Sequence, residues 1–276
     1  MIRYLLASAA LFTASSAAAQ GAPLPDPNDR SDTVSLAAGG YWAPDYEGSD
    51  DYRFGPAAAI RGRVAGFEFF TRATWLYVDL IRQPSSGIDL DFGPIVGARM
   101  NRSRDVKDAR VDKLPELDAA IEVGGFGGVS WHGLTNPYDV LSLRIDVVTD
   151  VGGAHKSTLI TPTIDFGTPL SRTLYLGASA SLEWAGGGYA DHYYSISPAE
   201  GAVAGLPAYD ADGGLKHWRI GLLANQSITG DLTHGLSVFG TGAFTRLVGD
   251  FADSPVVDQR GSASQWLAAV GLAYTW

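Results

Sequence analysis

The chain has no cysteine. No disulfide can staple it, and neither thiol chemistry nor a thiolate metal site is available, so stability must come from the fold itself. Beyond the N-terminus there is no apolar run of about eighteen residues, which excludes a membrane-spanning helix. Histidines are few: His132, His155, His192, His217 and His234. None stands in a zincin, nucleophile-elbow, phosphate-loop or metal-ligand spacing, so no catalytic residue, metal or cofactor is expected. Basic charge is short as well, 20 Lys and Arg against 30 Asp and Glu, for a net of −10. That balance argues against a nucleic-acid partner.

What is present is 46% hydrophobic residues, 11% aromatics and 34 glycines in 276 residues. A β-barrel membrane protein reconciles such a composition with the missing helix, because its strands alternate and no window becomes uniformly apolar. The start fits export. Arg3 precedes an apolar run, 4–14, and Ala17-Ala18-Ala19 offers a small-residue cleavage site. Residues 1–19 therefore read as a signal peptide cut after Ala19, at the cost of one positive charge. Residues 20–32, with Pro23, Pro25 and Pro27, read as a flexible periplasmic leader, leaving 33–276 for the barrel.

The end of the chain carries the clearest periodicity. Trp266, Ala268, Val270, Leu272, Tyr274 and Trp276 alternate with small or polar residues over 265–276. Period two is the strand signature, and about ten tilted residues cross a hydrocarbon core. Tyr274 and Trp276 would close the barrel and anchor it at the interface. Similar segments recur at 33–43, 53–63, 67–72, 74–81, 88–100, 117–130, 140–150, 157–167, 173–184, 215–228 and 236–247. The split at Ala73 is required because bacterial single-chain barrels have even strand numbers. Twelve antiparallel, up-and-down strands result. Counted from a periplasmic C-terminus, the inner turns are short and the outer loops long, the usual outer-membrane asymmetry.

Alternation also assigns a lumen. Leu141, Leu143, Ile145 and Val147 face lipid, while Arg144 and Asp146 face in; the same parity turns Arg61, Asp89, Asp91, Arg99, Glu122, Asp165, Glu183 and Arg219 inward. A midplane charge facing lipid costs about 2–4 kcal/mol, so these belong inside. The expectation is that Arg61, Arg99, Arg144 and Arg219 pair with carboxylates and fill a narrow barrel. The alternative is a small-solute pore lined by them.

The loops carry their own patterns. Tyr46-Glu47-Gly48-Ser49-Asp50-Asp51-Tyr52-Arg53 is a compact acidic turn, and Gly153-Ala154-His155-Lys156 a basic glycine turn. The longest loop runs through Tyr194, Ser197-Pro198, Gly205-Leu206-Pro207, Tyr209 and Gly214-Leu215-Lys216; the last holds Gly249-Asp250, Ala252-Asp253-Ser254-Pro255, Val257, Gly261-Ser262 and Gln265. Their aromatics and prolines suggest loops that pack on themselves.

Taken in order, these motifs resemble the MipA/OmpV (MltA-interacting protein) outer-membrane family over essentially the whole mature chain. Ser157 stands where that family has glycine, and 102–113 is more basic than its counterpart. The resemblance implies a non-enzymatic outer-membrane barrel that scaffolds murein synthesis in the envelope, with a lytic transglycosylase and a penicillin-binding synthase as periplasmic partners. A narrow diffusion channel and a surface adhesin are the alternatives. The periplasmic surfaces open to such partners are the leader and the turn from Trp131 to Tyr138.

Overall fold

The computed structural model describes residues 31–82 and 87–276. The expected signal peptide and all but the last two residues of the expected leader lie outside them.

Twelve strands close into one antiparallel barrel. In chain order they are β1 Thr33–Pro44, β2 Tyr52–Val64, β3 Phe67–Arg72, β4 Trp75–Val78, β5 Ile88–Arg99, β6 Ala120–His132, β7 Val140–Asp150, β8 Thr158–Pro169, β9 Leu174–Ala185, β10 Gly214–Ser227, β11 Gly235–Leu247 and β12 Ser264–Thr275. The last strand pairs with both β11 and β1, and Trp276 exchanges backbone hydrogen bonds with Val34. Sequence periodicity and structure agree on all twelve. The split at Ala73 is real: Ala73, at φ 50°, opens a two-residue turn between Arg72 and Trp75.

The exterior shows why the barrel belongs in a membrane. Leu90, Phe92, Leu143, Ile145, Val147, Ile164, Leu222, Val270 and Leu272 all lie exposed on the outer face. An apolar belt of that size would drive aggregation in water. Closing the sheet pairs the strand edges that lipid would otherwise leave unsatisfied, except beside the short β3 and β4. Trp42 stacks on Tyr52, and Phe244 packs on Trp266 and Trp218, where the strands leave the belt towards the long loops. Aromatic girdles sit at such depths. The chain is an outer-membrane barrel.

A measurable consequence follows from the register. Leu143 opposes Val129 and Ile164 on the lipid side. Leu143→Arg is expected to destabilise refolding into vesicles by about 2–4 kcal/mol, the midplane cost of a charge. Refolding equal to wild type would mean that β7 is shifted by one residue.

Two short strands distort the wall. Because β3 and β4 are stubs, β2 pairs with β3 only over Arg61–Val64. Above that, β2 has a free edge, and Pro56 sits there, a residue without an N–H to leave unsatisfied. The 100–119 loop reaches across the gap. Lys107 donates to the Tyr52 carbonyl (2.6 Å) and Arg53 to that of Asp105 (2.5 Å).

Candidate functional site

Much of the buried core lies above the barrel. Among the described residues the largest fully buried side chains include Tyr189, Tyr193, Tyr194, Lys216 and Phe251. All lie in the outer loops or where those loops meet the wall. Two short helices, α1 Gly187–Tyr194 and α2 Pro198–Ala204, form in the longest loop, and α3 Asp250–Asp253 and α4 Pro255–Asp258 in the last. Together with Tyr46, Ile196, Val256 and Val257 they make a plug across the extracellular mouth.

The loop motifs are its fastenings. Ser197 and Glu200 form a reciprocal capping box, Pro198 takes the first helical position, and Gly205 ends α2 at φ 71°. Ile196 and Tyr209 pair as an isolated bridge, and the Tyr209 hydroxyl donates to the Asp250 carbonyl at 3.0 Å. Gly249 opens α3 and Pro255 opens α4, while the fully buried Ser254 donates to the Tyr194 carbonyl at 2.6 Å. Gly48 is required twice over, by φ 104° and because a Cβ there would meet Val257 at 2.5 Å. Gly261 bridges Ser49, and Gln265 donates to the Ser49 carbonyl at 3.2 Å. Tyr46 donates to the carbonyls of Val256 and Arg260. Asp51 accepts the Asp45 amide through its backbone carbonyl, closing that turn, whereas Asp50 and Pro207 are exposed.

Beneath the plug lies a buried ionic network. The Lys216 ammonium has no solvent exposure and sits 2.8 Å from Glu47 of the first loop. It also contacts Glu183 of β9 and donates to the Tyr189 hydroxyl of α1 at 3.0 Å. Tyr189 in turn donates to Glu47 at 2.6 Å. Burial alone would raise the Glu47 carboxyl; the Lys216 and Arg99 charges outweigh it and hold the group at about 2. Glu47, Glu183 and His217 are close enough to bind a metal. Lys216 already bridges both carboxylates, so the set is neutralised by an ammonium and does not fit a cation. A second node adjoins it. Glu122 accepts from Arg99 (2.7 Å) and Trp75 (3.1 Å), with the His155 ring 3.2 Å away. His155 is placed by its turn, in which the Asp150 carboxylate accepts the amides of Gly152, Gly153, His155 and Lys156.

Lower in the lumen the two walls differ. The registers set Arg61, Asp89, Asp91, Arg144, Asp146, Asp165 and Arg219 on the inner face, as they do Arg99, Glu122 and Glu183. On the β3–β8 side Phe70 stacks on Tyr77, Arg144 pairs with Asp146 at 2.7 Å, and Arg72 with Asp165 at 2.9 Å. The β9–β2 side mixes small inward residues, Ala37, Gly39, Ala57, Ala59, Ala243 and Ala269, with larger ones such as Leu223, Phe239 and Leu267. Two arginines depart from full carboxylate pairing. Arg61 lies 4.0 Å from Glu68 with a side chain 72% exposed, and Arg219 donates to the Thr245 hydroxyl. Both arginines thus keep exposed side chains below the plug.

At the periplasmic rim, Asp139 accepts the amides of Leu134, Thr135 and Asn136 and fixes the 133–139 turn. Trp131 pairs with Ile88 and Leu141 on the lipid face, so it belongs to the girdle, not to a periplasmic patch.

Residues 36–276 match the family model "MltA-interacting protein MipA". The chain belongs to that family. Among curated proteins nothing matches. Solved structures share the architecture distantly. The anion-selective porin from Comamonas acidovorans is 10% identical, covering 89% of this chain and 99% of its own, at a TM-score of 0.37. An outer membrane channel from Pseudomonas putida F1 is 8% identical, covering 89% and 95%, at 0.43. OmpT of Vibrio cholerae is 7% identical, covering 92% and 100%, at 0.34. Overlaps this loose add nothing to the strand order.

Proposed function

We propose that this MipA-family barrel is a non-enzymatic, periplasm-facing binding protein that scaffolds murein-synthesis and lytic enzymes, not a through-channel. The observation that carries the reading is the plug. Tyr189, Tyr193, Tyr194, Phe251, Val256 and Val257 fill the outer mouth with almost no solvent exposure. A mouth filled in this way argues against solute passage and leaves the 133–139 turn as the surface turned to the periplasm. The family name supports a lytic transglycosylase as the partner class.

On that turn Leu134 is 54% exposed and Tyr138 half-buried. Immobilised barrel is expected to retain a purified lytic transglycosylase, and Leu134→Ser with Tyr138→Ser to weaken retention about tenfold while heat-modifiable migration stays normal. Planar bilayers should show little or no conductance. Large, stable, ion-selective steps without enzyme retention would favour the uptake-channel reading, for which the exposed Arg61 and Arg219 are the supporting features.

A further inference from the structure

The structure assigns a peptide-binding site to a cleft on the outer surface, in which Arg102 receives a free carboxylate and Asp191 and Asp210 a free ammonium. The cleft lies between the 100–119 loop and the longest loop, and both aspartates and the arginine line it. Its volume is about 640 Å³, the scale of a small-molecule site.

Arg102 is the decisive residue. It is 6% exposed and held at φ 54°, the left-handed region that residues with a Cβ rarely adopt. Its guanidinium donates to two backbone carbonyls, Tyr193 at 3.2 Å and Pro115 at 3.5 Å. Among the described residues no carboxylate pairs with it, whereas the comparably buried Arg144 pairs with Asp146 at 2.7 Å. Glu200 lines the same cleft but caps α2, its carboxylate accepting the Ser197 amide at 2.8 Å. A buried cation without a counter-charge is costly, and two carbonyl contacts leave the rest of the five-donor fork unused. A carboxylate entering the cleft supplies the missing charge and fits that fork.

The exposed part of the lining has the opposite sign. Asp191 and Asp210 are both at the surface, and neither has an ion-pair partner among the described residues. A plain anion meets repulsion from them, and a zwitterion does not. Leu114, Leu117, Ile196 and Pro198 add apolar wall, which suits aliphatic side chains better than the hydroxyls of a sugar. A carboxylate, an ammonium and an aliphatic side chain together describe a short apolar peptide. The site is on the side away from the periplasmic turn and does not rest on the scaffold reading.

The test titrates mature barrel, refolded in non-ionic detergent at neutral pH, with the dipeptide Ala-Leu by calorimetry. Two blocked forms run beside it, Ala-Leu amide and N-acetyl-Ala-Leu. Wild type is expected to bind Ala-Leu, and each blocked form about tenfold more weakly, because each loses one charge-assisted contact. Arg102→Gln should abolish the preference for Ala-Leu over its amide and keep the preference over the acetylated form. Asp191→Asn with Asp210→Asn should do the reverse. Those two positions are exposed, so the double variant and the blocked peptides decide the matter even where Arg102→Gln fails to fold. No binding of Ala-Leu to wild type, or equal binding of Ala-Leu and its amide, overturns the site. Equal binding of the acetylated form overturns its assignment to a peptide, the cleft then taking a carboxylate without regard to an ammonium.

Discussion

Lys216→Met is expected to unlatch the plug and turn a silent barrel into a conducting one. Lys216 is where three parts of the chain meet: the first loop through Glu47, the wall through Glu183 and the plug through Tyr189. Methionine has similar length but removes the ammonium. It leaves Glu47 and Glu183 facing each other under the plug. Removing one partner of a buried ion pair costs about 3–5 kcal/mol, because the other charge stays buried and uncompensated. The barrel is held by its own backbone ladder, so the loss falls on the plug, whose α1 then has reason to leave the mouth. Single-channel recording should show new openings, and limited proteolysis should cut within 186–213 while the barrel core stays resistant. Adding Glu47→Gln and Glu183→Gln should restore the closed state, since no charge is then stranded. Silent bilayers and an unchanged digest for Lys216→Met would mean that aromatic packing alone holds the plug.

The same latch sets how the mouth responds to acid. The Glu47 carboxyl is held at about 2 against an ordinary value of 4.5. A depressed carboxyl contributes its stability in full above its unfolded value and loses it as pH falls through the folded one. The Glu47 contribution is thus intact at neutral pH and fades only between about pH 4.5 and 2. Mild acid does not open the plug by this route.

Strands and plug were not equally legible in the sequence. Each strand advertises itself locally, by alternation over a few residues, and the bounds of 67–72 and 140–150 coincide with the elements found. Ala73 breaks no alternation strongly. Only the demand for an even strand number exposed that turn. The plug is different: local signals mark α2, through Ser197, Pro198, Glu200 and Gly205, but not its other parts. The α1 sequence, Gly187-Gly188-Tyr189-Ala190-Asp191-His192-Tyr193-Tyr194, begins on glycines without a side-chain cap, and its helix exists because three tyrosines are buried by residues up to 148 positions away, Tyr46 among them. The ionic network was hidden by an irregularity. A bulge between Leu215 and His217 places Lys216 and His217 both inside, where strict alternation turns only one of them inward. Tyr46, His155 and Lys216 could be picked out as loop motifs, but their partners Val256, Glu122 and Glu47 are fixed by closure of the barrel, which brings distant loops to one mouth.

Deleting Tyr274 to Trp276 should abolish insertion, the largest effect expected for any small change to this chain. The three residues sit at the seam. Tyr274 pairs with Leu36 on one side and Leu236 on the other, Thr275 with Ser35 and Gly235, and Trp276 closes the ladder on Val34. Their loss opens backbone groups of both β1 and β11 at once. In lipid each unsatisfied group costs several kilocalories per mole, with no water to take its place. The outward Tyr274 and Trp276 rings, which pack on each other at 4.6 Å, also remove the interfacial anchor of the final strand when deleted. The Ser35–Thr275 hydroxyl contact at 2.7 Å across that seam is lost with them. Trp276→Ala alone keeps the backbone pairing and should lower the outer-membrane yield without eliminating it. The pair of variants separates the two contributions. Heat-modifiable migration on gels and outer-membrane yield are the readouts, with the truncated chain expected to remain unfolded and be degraded in the periplasm. A truncated chain that still inserts in normal yield would show that β12 closes on β1 through residues 264–273 alone, and that the seam is fastened higher up, where Trp42 opposes Ala268 and Gln265 reaches Ser49.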